Sequence, residues 1–214
     1  FELAGDPLSR VSAIFWCLAG AHTDDAIQAL EREIAPRMAA HYSAIYMNDR
    51  LFARIDALRD KADGPGLYAA PARELDRTWK RFVRAGAKLD RQSKARLAAI
   101  NSELASLGAS FGQNVLADEK DWVLFLDESE LAGVPDFLRD AMAEAAVSRE
   151  KPGKFAVTLS RSIVIPFLTF SSRRDLREKA FHAFARRGEN GGATDNGENV
   201  KKTLALRAEK ARLL

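Results

Sequence analysis

At 214 residues the chain is long enough to bury a substantial core, in one domain or two small ones. A hydrophobic fraction of 47% and a charged fraction of 29% are those of an ordinary globular protein. Thirty-three basic residues against 30 acidic ones leave a net charge of only +3, despite a pI near 9.1, which argues against a nucleic-acid surface. The single cysteine, Cys17, excludes an intrachain disulfide and suits a reducing compartment. Set in AIFWCLAG, it reads as a buried small hydrophobe. No run approaches the roughly 18 apolar residues of a membrane span, and FELAGDPLSR has neither the charged nor the apolar region of a signal peptide.

In chain order, Leu8, Val11, Phe15 and Leu18 give helical spacing from Asp6 to Ala19, with Gly20 as the stop. Thr23 is the expected N-cap of the next helix, with Asp24 and Asp25 in its first turn. A stripe from Ile27 to Leu58 carries that helix to about Lys61, with Pro36 expected to kink or restart it and Gly64-Pro65-Gly66 to close it. A further helix is expected over Pro71–Gly86. A longer one follows Leu89-Asp90, with a core-facing stripe of Leu97, Ile100, Leu104, Leu107, Phe111 and Val115.

The period then shifts to two. WVLFL (122–126) and KFAVTLS (154–160) read as short strands, flanking a helix over Val134–Ser148 that Pro135 begins. That helix is either a crossover or an excursion between antiparallel strands. The fold class expected is therefore mainly α, a multi-helix lobe with a minor two-stranded β element. A short helix from Ser162 to about Phe170 contains Pro166. The next is capped by Ser172, with Asp175 at its third position, and buries Leu176, Ala180, Ala183 and Phe184. Gly188 ends it. After the loop GENGGATDN, Thr194 or Asp195 caps the last helix.

Chemistry-bearing patterns are scarce. His22, His41 and His182 have no second ligand at metal-binding spacing. Gly191-Gly192 lacks the Lys-Ser/Thr of a phosphate loop and reads as a turn needing positive φ. Arg173, Arg174, Arg177, Arg186 and Arg187 alternate with Asp175 and Glu178, as on a solvated salt-bridged face. Pairs such as Asp24/Asp25 and Glu31/Glu33 receive no acid–base role, because no partner accompanies them. From the residues alone this is a helical domain without a catalytic constellation.

Several segments in combination carry a resemblance: FGQNVLADE (111–119), LAGVPDFLRDA (131–141), TLSRSIVIPFLTFSSRRDLREKAFHAFARRGENGGATDN (158–196), LALRAEKARLL (204–214) and the helices of 8–52. Together they resemble the N-terminal region of bacterial peptidyl-dipeptidases, within the thimet oligopeptidase-like family of zinc metallopeptidases. The RGENGG loop is closer to the peptidyl-dipeptidase branch than to the oligopeptidase A branch.

That resemblance implies a helical, two-lobed enzyme with a deep channel that takes short peptides and releases C-terminal dipeptides. Its zinc is held by the two histidines of His-Glu-x-x-His and a downstream Glu, all in the C-terminal half, while the motif's Glu activates the zinc-bound water. No catalytic, metal or substrate-binding residue can be carried over to this chain. Residues 1–214 are expected to be the N-terminal lobe, cut at both ends, since the chain lacks an initial Met and finishes in full helical pattern. The lobe would form one wall and part of the lid of the channel, in the cytoplasm. Its expected partners are short peptides and the C-terminal catalytic lobe, with no nucleic acid and no membrane, and self-association through the lobe interface is expected of the fragment. One departure stands out: Ile165 precedes Pro166 where the family often has Glu. The competing reading is a helical protein-interaction module with no enzymatic parent.

Overall fold

The computed structural model describes residues 5–62 and 69–214. Among them lie nine α-helices and one two-stranded antiparallel ribbon, which is the mainly α class with a minor two-stranded element that the hydrophobic periods predict. The expected stop at Gly64-Pro65-Gly66, like residues 1–4, falls outside the described residues. The chain divides into two compact units, Phe1–Ser110 with Asn199–Leu214, and Phe111–Glu198.

In the first unit α1 (Asp6–Ala21) and α2 (Asp25–Tyr46) are joined by a short turn. The cap of α2 is Asp24, not Thr23: its Oδ1 accepts the Ile27 amide at 2.7 Å. Thr23 instead has a buried hydroxyl with no hydrogen-bond partner. Helix α2 continues through Pro36. The break comes later, where Asn48 accepts the Leu51 amide at 2.9 Å and starts α3 (Asp49–Ala62). A short polar side chain that can bond its own backbone wins over a continuous apolar stripe at that point.

Helix α4 (Ala69–Arg84) supplies the centre of this unit's aromatic core. Phe82, fully buried, takes Tyr46 edge-on at 5.0 Å between ring centroids and Phe52 stacked at 6.3 Å. Trp79 donates from Nε1 to Asp56 at 2.6 Å, with the Arg59 guanidinium 3.7 Å over its ring. Asp90 caps α5 (Arg91–Asp121) by accepting the Ser93 amide at 2.9 Å. Leu97 and Ile100 are buried as their spacing requires, but Phe111, expected in the same stripe, is exposed. Helix α9 (Gly197–Leu213) buries Leu206.

The second unit is built around the ribbon. Strands β1 (Val123–Leu126) and β2 (Phe155–Thr158) pair in register from Val123 opposite Thr158 to Leu126 opposite Phe155. The pairing is antiparallel, so α6 (Asp136–Val147) is an excursion between the strands, not a crossover. Leu138, Met142 and Ala146, at helical spacing, bury the inner face of α6. With Leu126, Val157, Phe167 of α7 (Arg161–Phe170) and Leu176 and Ala180 of α8 (Arg174–Ala185), these residues supply the apolar core.

Ser172 does not cap α8. The position before the helix is Arg173, with no side-chain cap. Ser172 instead joins two elements. Its amide donates to the Ala132 carbonyl at 2.7 Å, tying α7 to the turn before α6. Gly133 makes that approach possible. Its φ is +81°, and a Cβ there would lie 2.5 Å from the Phe170 carbonyl oxygen and 2.9 Å from the Ser172 amide. We expect Gly133→Ala to destabilise the chain by about 3 kcal/mol, from backbone strain and overlap with atoms that cannot rotate away. Urea unfolding followed by circular dichroism measures it, and a loss below about 1 kcal/mol contradicts the packing described.

Candidate functional site

Two segments far apart in sequence, 111–119 and 187–196, meet in the second unit. On α5, positions 111, 114 or 115, and 118 or 119 recur at helical spacing and share one face. The loop from Gly188 to Asn196 lies against that face. The Asp118 carboxylate collects three donors: the Gly188 amide on Oδ2 at 2.7 Å, and the Asn190 amide group and the Thr194 hydroxyl (2.6 Å) on Oδ1. One turn earlier, Asn114 donates to the buried Asn196 side chain at 3.0 Å, and Asn196 in turn donates to the Phe111 carbonyl at 3.2 Å. Glu119 pairs with Arg187, whose guanidinium also sits 4.1 Å from the Phe184 ring.

Inside the loop, Asp195 accepts the amide of Gly197, the first residue of α9, at 2.7 Å and the Gly191 amide at 2.8 Å, which closes the turn. Of the paired glycines, Gly191 has the positive φ (+71°), as does Gly188 (+76°). At Gly188 a Cβ would meet the Asn196 amide at 2.9 Å and Val115 at 3.4 Å. Asp118 is thus a builder of backbone geometry. Both its oxygens are engaged, which leaves it poorly placed to take a proton from a substrate.

Beside this junction is a cleft of about 860 Å³. Trp122, Leu124 and Leu159 give it apolar lining, Lys179 and His182 of α8 with Arg186 just beyond it a basic side, and Asp118, Asp121 and Glu189 an acidic one. His182 has Glu178 3.8 Å away, both exposed, and the Thr194 hydroxyl in the lining is engaged in donating to Asp118. The other histidines lie in the first unit. His22 ends α1 through its backbone, and His41 on α2 packs against Tyr42. Cys17, expected to be buried, is exposed on α1, a helix with no buried residue at all. Apolar context alone misled there, because α1 carries apolar side chains that no neighbour buries. Among the described residues no three His, Cys, Asp or Glu side chains gather as a metal site needs.

The arginines of α8 behave partly as a salt-bridged face. Arg173 grips Asp175 with two bonds, at 3.0 and 2.8 Å, which holds the Asp175 carboxyl down to about 2 from its ordinary 3.8. The favourable contribution is therefore present above about pH 3.8 and is lost as pH falls toward 2. Replacing Arg173 with Gln should return the Asp175 titration toward 3.8 in a carboxyl-carbon NMR titration; an unmoved midpoint contradicts the pairing. For the junction, Asp118→Ala should cost about 2–3 kcal/mol, since a part-buried set of donors loses a charged acceptor. Asp118→Asn, which keeps one acceptor oxygen, should fall between it and the parent chain in urea unfolding.

No protein-family profile matches the chain. Individual relatives do match. The dipeptidyl carboxypeptidase of Escherichia coli is 34% identical over all 214 residues, and that of Salmonella typhimurium 35% identical over the same length. Oligopeptidase A of Salmonella typhimurium is 27% identical over 99% of the chain. The chain spans 31 to 32% of the length of these relatives.

Proposed function

We propose, from the premise that this chain corresponds along its whole length to the N-terminal part of thimet oligopeptidase-like peptidases, that it is the non-catalytic helical lobe of a cytoplasmic zinc peptidase. The parent enzyme would hydrolyse short peptides and release C-terminal dipeptides, with this lobe forming one wall of the channel that admits them. Zinc and the groups that activate water would come from the rest of the parent, and this chain would supply shape. The observation that carries the reading is the match, over the whole of this chain, to two dipeptidyl carboxypeptidases at 34 and 35% identity, against 27% for oligopeptidase A.

The structure is compatible in a specific way. The segments behind the resemblance, 111–119 and 187–196, bond to each other, and 131–141 bonds to the start of α8 through Ala132 and Ser172. They are devices for holding helices in place, as expected of a lobe whose contribution is form. Helix α1 exposes Val11, Ile14 and Leu18, an apolar surface of the kind an adjoining lobe covers. The same surface is what favours the second reading, an interaction module bound to an unrelated protein.

Zinc analysis and a dipeptide-release assay separate the two. The 214-residue chain should hold no stoichiometric zinc and cleave nothing, whereas the full-length parent should hold one zinc and release dipeptides from short peptides. One tightly bound zinc on the 214-residue chain, or a full-length parent with no peptidase activity, overturns the proposal.

A further inference from the structure

One surface of the first unit is unlike the rest of this charge-balanced chain. Along α4, Arg77, Lys80, Arg81 and Arg84 fall at i, i+3, i+4 and i+7, on one side of the helix. Together with Lys210 of α9 they line a hollow of about 490 Å³ to which no carboxylate among the described residues contributes. Two of these cations have acidic partners on α4 itself: Lys80 lies 2.7 Å from Asp76, and Arg77 3.9 Å from Glu74. Arg81 and Arg84 have no carboxylate partner among the described residues.

Lys210 is an independent sign. Its half-buried ammonium donates at 2.7 Å to the Asn101 amide oxygen, a neutral group, and Asn101 donates onward to the buried Ser43 hydroxyl at 3.1 Å. That relay sits in a second hollow of about 340 Å³, which shares Arg84, Ala85 and Lys210 with the first. A cation on a half-buried residue, held among the described residues by an amide and by no carboxylate, leaves a place for an anion.

The geometry points to an acidic peptide segment as the occupant, its carboxylates lying along α4 and ending at Lys210. Length decides for a segment over a single phosphate. Arg77 to Arg84 spans seven residues of helix, roughly 10 Å at 1.5 Å per residue, which is the reach of about three extended residues. A lone phosphate would engage only part of that row. Planar arginine forks, three of them here, suit carboxylate pairing. The inference stands apart from the peptidase proposal, because binding is read on the 214-residue chain with no cleavage involved.

The test is fluorescence anisotropy with a labelled pentapeptide bearing three consecutive Glu residues, against its Gln counterpart. The Glu peptide should bind about tenfold or more tightly than the Gln peptide, and the difference should shrink as salt is raised. The double variant Arg81→Glu with Arg84→Glu should lose about tenfold or more in affinity. Arg174→Glu with Arg177→Glu changes net charge by the same amount on α8 and should leave affinity within about twofold. Equal loss in the two variants reduces the effect to overall charge and overturns the assignment. So does displacement of the peptide by equimolar inorganic phosphate, which identifies a phosphate site instead. Should the α4 variant lose its helical circular-dichroism signal, the Glu-against-Gln comparison on the unaltered chain still decides, and equal binding of the two refutes the site.

Discussion

A nine-residue loop with three glycines, Gly188 to Asn196, has many conformations to lose, and ordering it opposes folding by roughly 1–2 kcal/mol per residue in backbone entropy alone. The offsetting interactions converge on one face of α5. Asp118 takes an amide, a side-chain amide and a hydroxyl from the loop, Asn114 and the Phe111 carbonyl hold Asn196, and Glu119 holds Arg187. The loop delivers the chain from the end of α8 to the start of α9, so the point at which the last helix begins follows from this set of bonds. The glycines serve the same end: Gly188 is tight against Asn196 and Val115, and positive φ at Gly188 and Gly191 bends the loop back onto the helix.

The ribbon imposes a second constraint of a different kind. Four paired residues per strand would be marginal alone. They persist because α6, α7 and α8 close over them with Leu138, Met142, Phe167, Leu176 and Ala180. The covering helices in turn need Gly133 to let α7 and the turn before α6 approach at backbone distance. One side of the unit is thus fixed by dispersion and burial, and the other by charged and amide hydrogen bonds. The first kind is spread over many atoms, whereas the second is concentrated in a few.

How much of this can be read in the sequence follows from the range of the forces involved. Helices and strands are legible, because the periods of 3.6 and 2 are local: Leu97 and Ile100 are buried where the stripe puts them, and the WVLFL and KFAVTLS segments do pair. Caps are less so. Asp24 serves where spacing favours Thr23, and Asn48 divides a stripe that is continuous by apolar spacing. In both places the choice rests on backbone angles that residue types alone do not specify. Burial fails for Cys17 and Phe111 because a stripe says which side of a helix is apolar, not whether anything covers it. The role of Asp118 is out of reach, since its partners lie 70 to 76 residues away. Only the joint resemblance of 111–119 and 158–196 to one family hints that they belong together.

Overall charge hides as much as it reveals. A net +3 argues against a nucleic-acid surface and does so by averaging, yet the average is compatible with a row of cations along two turns of α4. Averaging also conceals the contrast between two arginine sets. On and just beyond α8, Arg173 has Asp175 in a two-bonded grip and Arg187 has Glu119, so much of that set is consumed by structure. On α4, Arg81 and Arg84 face a hollow that also receives Lys210, and no carboxylate among the described residues lines it. Side chains already paired contribute to holding a fold. Cations gathered around an acid-free hollow, with one held half-buried by an amide, contribute little to it and repel one another, a cost that binding an anion would relieve.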